Sequence, residues 1–385
     1  MRKTIWLNVW DLRGIAPSEL VAELRDLGLT GCRLGLAYHG GRIILPRNRE
    51  RRVYEQHRSA IYFKPGAGAF DDLRLRPPIA DEAILVEPFL RECRKADFTA
   101  EAWAVFCHND FLGETAPDAC AVNCFGDRYS HALCPANEDA RRYAIALAAA
   151  VAQIEGIAAI DAEAVSFMGL EHGGLHDKRG VQLPAAIDWL LSICLCAACR
   201  DNLGADAADD IGRKSRFAVG EFFENFPNAP DAIDLPVELA EILGAENFAA
   251  LLEHRRRTVK SLLAEMRENL NGKPLNLRLA ASPLFNGGKT ALDWADAADA
   301  ADEATLTFFG KSTHAIAAEI NALPATNLKL HGGLMFHQPD CAAQTNLREK
   351  VELFSADKFA GLAFYSYGMA TRAHLQWLKR VLREI

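Results

Sequence analysis

The stretch EAVSFMGLEHGGLHDK places Glu163, Glu171, His172, His176 and Asp177 around a pair of glycines. Carboxylates and imidazoles gathered in this way can protonate a leaving group, activate a water or orient one another. Cutting a glycosidic bond needs two carboxylates flanking it, and Glu163 is the first candidate for that work with Glu171 the second. Other stretches repeat the theme. CHNDF and FGDRYSHALCP carry His108, Asn109, Asp110, Asp127, Arg128, Tyr129 and His131, and LMFHQPD carries His337, Gln338 and Asp340. The segment FYSYG adds Tyr365 and Tyr367. Aromatic rings among Asp, Asn, His and Arg suit a polyhydroxylated ligand with apolar C–H faces, such as a sugar.

These groups need elements to hold them, and the chain has a repeated strand-then-helix rhythm. Strands are expected at Lys3–Asp11, Gly31–His39, Phe98–His108, Gly156–Phe167, Pro274–Ser282, Ala304–Gly310, Asn327–Phe336 and Gly361–Gly368. Helical patterns fall between most of them. PSELVAELRDLGL exits through Gly28, Glu138–Ile154 is Ala-rich, Phe248–Leu270 is amphipathic, and Ala370–Leu382 closes the chain. Eight strands alternating with helices predict an α/β protein with a (β/α)8 TIM barrel fold. A doubly wound sheet is the alternative, but no Gly-rich phosphate loop follows the first strand. Residues 1–385 read as a single barrel domain with elaborated loops after strands two and four, at about 40–97 and 195–271. The run Arg47–Arg52 (RNRERR) reads as a solvated loop face in preference to an anion site.

Every second residue of a barrel strand points inward. One register of nearly every strand here is polar or aromatic: Trp6, Asn8 and Trp10, then Arg33 and His39, Asp161 and Glu163, Asn276 and Arg278, Thr305 and Thr307, Lys329 and His331, and finally Tyr365 and Tyr367. The third strand turns either Glu101 and Trp103 or Phe106 and His108 inward. Residues early in each strand suit internal salt bridges such as Arg33–Asp161 or Arg278–Glu101, while those at the C-terminal ends sit where barrel enzymes keep their chemistry. The expected ligand-binding set is Trp10, Arg33, His39, His108, Asn109, Tyr129, His172, His331, His337, Tyr365 and Tyr367, with Trp10, Tyr365 and Tyr367 stacking.

Trp6, Asn8, Trp10 and Asp11 in the opening strand, SHALCPANEDARRYA, the acidic end at Asp161 and Glu163, and the closing GLAFYSYGMA together resemble bacterial glycoside-hydrolase-like (β/α)8 barrels, a largely uncharacterised group. The resemblance spans most of the chain. It implies an enzyme acting on a carbohydrate or glycoside, with Glu163 as acid/base. Retaining glycosidases of the large barrel clan also carry a nucleophile at the end of strand seven. Here that strand reads NLKLHGGLMFH without an acid, and Asp340 lies beyond it. An inverting mechanism or a noncatalytic carbohydrate-binding barrel therefore stays open. A metal-dependent hydrolase or isomerase using His39, His108, His172, His176, His331 and His337 is the rival, although no H-E-x-x-H is present.

Cys194, Cys196 and Cys199 stand apart. Three thiolates are one short of a closed zinc site, and Cys134 or Cys124 would complete it only by folding back. An apolar helix that happens to use cysteine is the competing reading; a bound zinc would be structural, and no cofactor is required otherwise. With 43 Lys+Arg against 51 Asp+Glu, the net charge of −8 argues against a nucleic-acid partner. No apolar run reaches the ~18–20 residues of a membrane span. The start, MRKTIWLNVWDLRG, meets Asn8, Asp11 and Arg13 before a signal core develops, so the cytoplasm is expected. Oligomeric state is left open.

Overall fold

Parallel strands joined by helices can bury both faces only by closing or by stacking helices on each side. This chain closes. The computed structural model describes residues 1–170, 180–225, 234–279 and 290–384. Eight parallel strands form the barrel: β1 (Arg2–Asn8), β2 (Gly31–Tyr38), β3 (Thr99–Val105), β4 (Ile157–Glu163), β5 (Leu275–Leu279), β6 (Glu303–Thr307), β7 (Lys329–Met335) and β8 (Gly361–Tyr365). Neighbours in the chain are neighbours in the sheet, and β1 pairs with both β2 and β8 to complete the ring. Each strand lies inside its expected stretch or starts one residue before it.

The outward register of these strands is apolar and packs beneath the helices. Ile5, Leu7, Leu34, Ala102, Ile160, Leu277 and Leu306 belong to that outer core. Helix Pro17–Asp26 begins with proline at its first turn, buries Leu20, Val21 and Leu24, and is followed by Gly28 at φ 89°. Helix Glu138–Ala152 is capped by Asn137, whose side chain accepts the Ala140 N–H, and carries Glu138 and Asp139 in its first turn. Helix Arg372–Glu384 presses Leu375, Leu378 and Leu382 inward.

Two excursions leave this frame. Residues 40–97 form the antiparallel pair Gly41–Ile44 and Val53–Gln56, a short strand Ala60–Ile61 on the end of β2, and then helix Val86–Lys95, which packs on β3 and on helix Pro17–Asp26. Residues 195–271 hold helices Ala197–Leu203, Ala205–Asn225, Leu235–Leu243 and Ala245–Glu268. Much of this second group shares a separate apolar cluster with Ile187, Trp189, Ile211, Phe222, Leu239 and Leu251. No helix among the described residues is long and apolar enough to cross a membrane.

Candidate active site and metal centre

The inward register begins with a charged floor. Arg2 reaches Glu101 at 3.0 Å and also bonds Glu303. His331 Nε2 lies 2.9 Å from the Glu303 carboxylate. Burial alone would raise Glu303, but His331 and Arg2 outweigh it and hold its pKa at about 2. Arg33, fully buried, pairs with Glu101 at 3.1 Å and donates to Thr305 Oγ1 at 2.7 Å, which in turn donates to Asn276 Oδ1 at 2.9 Å. The floor is a network of paired charges, the form in which a buried charge is tolerated, although Arg33 Nη2 and Asn276 Nδ2 find no hydrogen-bond partner among the described residues.

The next layer gathers two carboxylates around one arginine. Asp161 accepts from Trp6 Nε1 at 2.8 Å and from Arg278 Nη2 at 2.9 Å, with Arg33 at 3.5 Å. Burial pushes Asp161 up, and Arg278 and Arg33 more than reverse it, so its pKa is lowered. Arg278 also donates from Nη1 to Glu163 Oε2 at 2.5 Å, and Trp103 Nε1 donates to the same oxygen at 2.6 Å. Its guanidinium lies 4.7 Å from the Trp6 ring centre and 5.2 Å from that of Trp103. Glu163 is therefore gripped through Oε2. A cavity of about 180 Å³ opens above it, lined by His108, Glu163, Ser166, Arg278, Thr290 and Thr307 among others. Glu163 is the one carboxylate of that lining among the described residues. The next residue, Ala164, holds φ at 58°, a left-handed conformation that a residue with a Cβ adopts under constraint. Its carbonyl and that of Glu163 are pinned by the N–H groups of Cys107 and Phe106.

Aromatic rings rim this opening. Tyr38 and Tyr365 are hydrogen-bonded through their hydroxyls, and burial raises the pKa of both. Tyr38 stacks on His39 at 4.2 Å, His39 stacks on His108 at 4.2 Å, and His131 meets His108 edge-on at 5.8 Å. Tyr38 reaches the interior because the β2–β3 register shifts between Gly35 and Ala37, a bulge that turns the following side chains over.

The sequence-derived set divides. Glu163, His39, His108 and Tyr365 meet at the mouth. Glu171 and His172, with His176 and Asp177, lie outside the described residues. Arg33 and His331 belong to the floor instead of the ligand surface, because they sit early in their strands. Trp10 was expected to stack on substrate, but the chain leaves β1 at Asn8 and enters the 3-10 turn Val9–Leu12, ending the two-residue alternation. Its ring is 1% exposed, stacked on Tyr54 at 4.8 Å and edge-on to Tyr62. Tyr367 likewise turns away from the mouth and lies under Arg47 at 4.0 Å. Asn109 caps helix Asp110–Thr115 by accepting the Leu112 N–H, and Tyr129 donates to the Leu191 carbonyl. His337 Nε2 accepts the Ser366 N–H behind β8. Of the two salt bridges anticipated, Arg33–Asp161 is present, whereas Arg278 pairs with Asp161 and Glu163 in place of Glu101. Trp103, Tyr38 and Arg278 at the mouth were not among the expected ligand contacts; only the alternation of β3 hinted at Trp103.

The cysteines do converge. Cys134, at the end of strand Arg128–Leu133, comes within 3.5 Å of Cys199, 3.6 Å of Cys196 and 3.7 Å of Cys194, sulfur to sulfur. All four are buried, and their sulfurs lie within 4.8 Å of one another. A tetrahedron with Zn–S bonds of 2.3 Å has edges of about 3.8 Å. The donor set and its spacing therefore fit a tetrahedral thiophilic metal. Arg255 is buried nearby, its guanidinium 4.5 Å from the Trp189 ring centre and bonded to the Ser192 carbonyl. Burial lowers its pKa to about 10, opposed by the charge of Cys199, Cys194 and Cys134.

No protein-family model and no curated protein sequence matches the chain. Solved structures do. The chain overlays along 99% of its length on 99% of the glycoside hydrolase domain of PgaB (BpsB) from Bordetella bronchiseptica, at a TM-score of 0.58 and 10% identity. It overlays in full on 49% of alpha-L-fucosidase isoenzyme 2 from Paenibacillus thiaminolyticus, at a TM-score of 0.59 and 12% identity. It also overlays in full on 59% of the beta-galactosidase from the psychrophilic Marinomonas ef1, at 0.56 and 12%. The chain shares the fold of these glycoside hydrolases. It spans about half the length of the fucosidase and galactosidase chains it matches, and identities this low speak to fold alone.

Proposed function

We propose that this glycoside-hydrolase-like barrel acts on a carbohydrate or glycoside, with Glu163 as the acid/base. The observation that carries the reading is Glu163 at the C-terminal end of β4, lining the mouth cavity and held through one oxygen by Arg278 and Trp103. Oε1 exchanges a proton with the glycosidic oxygen or with water, and Tyr365, His39 and His108 supply stacking faces and hydrogen bonds to the sugar. β7 ends at Met335 and offers no carboxylate, so the second acid in this reading is Glu171 or a loop Asp. The substrate is a small glycoside handled in the cytoplasm, where the cysteines stay reduced.

The test is a panel of aryl glycosides with the wild type, Glu163→Gln and Glu171→Gln. Glu163→Gln is expected to lower kcat by about 10²–10⁴-fold with an unchanged circular dichroism spectrum. Activity undiminished in Glu163→Gln would overturn the assignment. We also assign one structural zinc to Cys134, Cys194, Cys196 and Cys199, on the tetrahedral spacing of their sulfurs. The pair of negative charges carried by a zinc tetrathiolate would be offset in part by Arg255.

A further inference from the structure

One short segment joins the mouth to the cysteine centre. Residues 165–170 follow the end of β4, and Val165, Ser166 and Met168 line the mouth cavity. Val165, Ser166 and Phe167 are each 2% exposed, so this wall is packed from behind. What it packs against leads, contact by contact, to the four cysteines.

Phe167 comes first. Its ring centre lies 5.4 Å from the Arg255 guanidinium and 5.6 Å from that of the His254 ring, both on helix Ala245–Glu268. The Gly169 carbonyl then accepts from His131 Nε2 at 3.1 Å, and the Leu170 N–H donates to Ser192 Oγ at 2.9 Å. His131 stands three residues before Cys134, and Ser192 two before Cys194. Strand Arg128–Leu133 also holds the segment carrying His108, through the Asn109 N–H on the His131 carbonyl and the Leu133 N–H on the Cys107 carbonyl. His108 is itself part of the cavity lining. Two sides of the mouth are therefore fastened to segments that run into the cysteine cluster.

Arg255 ties these contacts to the metal. It is 1% exposed, donates from Nη2 to the Ser192 carbonyl at 3.1 Å, and leaves Nη1 without a hydrogen-bond partner among the described residues. The charges that offset its burial are those of Cys199, Cys194 and Cys134. A guanidinium buried without a counter-charge is strongly disfavoured. A metal tetrathiolate supplies that charge permanently, whereas an empty site of protonated thiols does not. Loss of the metal would release Arg255, and with it the hold on Ser192 and Phe167.

We propose that the metal centre positions the wall of the mouth, with Arg255 and Ser192 as the positioning residues that carry its grip to residues 165–170. Loading the four cysteines fixes Ser166 and Met168 beside Glu163, and emptying them frees that wall. The inference rests on the zinc assignment, and its main readout does not depend on the glycosidase reading.

Hydrogen exchange read by mass spectrometry tests it without substrate, on the full chain as purified and after zinc is removed by a chelator under reducing conditions. Segments 107–109 and 165–170 are expected to exchange about tenfold faster in the depleted protein, with β7 and β8 unchanged, and added zinc should restore their protection. Ser192→Ala and Arg255→Met should keep the zinc yet speed exchange at 165–170, and Arg255→Lys, which retains the charge, should recover most of the protection. On any aryl glycoside that the wild type cleaves, depletion should lower kcat/KM about tenfold or more. Glu163→Gln should leave every exchange rate unchanged, so a failed catalytic assignment is read apart from a failed inference. Protection at 165–170 that survives zinc loss would overturn the inference and leave the zinc assignment standing. Faster exchange throughout the barrel would overturn it too, since the metal would then serve stability alone. Elemental analysis that finds no metal would overturn both.

Discussion

At the residue scale, the centre of this molecule is one guanidinium. Arg278 bridges Asp161, which is fully buried, and Glu163, which lines the cavity. Burial works against its charge, yet the two carboxylates outweigh that and raise its pKa. Arg278→Met should destabilise the fold by about 3–5 kcal/mol, because the buried Asp161 charge then keeps only the neutral Trp6 N–H and the 3.5 Å contact with Arg33. Urea unfolding measures this, and a loss below about 1 kcal/mol would show that water replaces the bridge. Asp11 gives a prediction with a defined sign. Its folded pKa is raised to about 7 from 3.8, so its contribution to stability is complete below pH 3.8 and is lost as pH rises through 7. Asp11→Asn should gain on the wild type between pH 5 and pH 8, read as the difference in unfolding midpoints. An equal difference at both pH values would refute the shift.

At the scale of elements, the strands follow from local sequence and their ends do not. Alternation in KTIWLN and NLRL is enough to turn Trp6, Asn276 and Arg278 inward. The rule fails where the period changes. A 3-10 turn carries Trp10 into the outer core, and the bulge in β2 brings Tyr38 to the mouth. Both departures depend on what the backbone pairs with, which local pattern does not encode. Close packing adds its own demand. A Cβ at Gly332 on β7 would meet the Phe354 ring at 2.3 Å, so Gly332→Ala should destabilise by about 1–3 kcal/mol, visible as a lower thermal midpoint. A midpoint within error of the wild type would mean that the segment bearing Phe354, after helix Gln344–Val351, yields freely.

At the scale of the whole molecule, the test is the joint between the excursion and the barrel. Cys134 belongs to the loop after β3, while Cys194, Cys196 and Cys199 come after β4. A metal held by all four would staple two loops that are also joined by the Tyr129 hydroxyl on the Leu191 carbonyl and the Leu195 N–H on the Val122 carbonyl. Elemental analysis should find one zinc per chain, and Cys134→Ser should lose it along with several degrees of thermal midpoint. Zinc retained in Cys134→Ser, or a wild type free of zinc, would refute the assignment.

The sequence by itself determined the eight strands, the closed α/β class and the polar inner register, because period-two and helical patterns are local and each strand carries its own. It also marked Glu163 as a candidate, since an acid at the end of an apolar strand is unusual wherever the strand lies, and the structure lines a cavity with it. Only the tertiary structure decided which arginine holds Glu163, why Arg33 and His331 serve the floor, and how Cys134 reaches a cluster that begins 60 residues later. Such sites are made by contacts between segments far apart in the chain, and the free energy that selects them belongs to the packed whole.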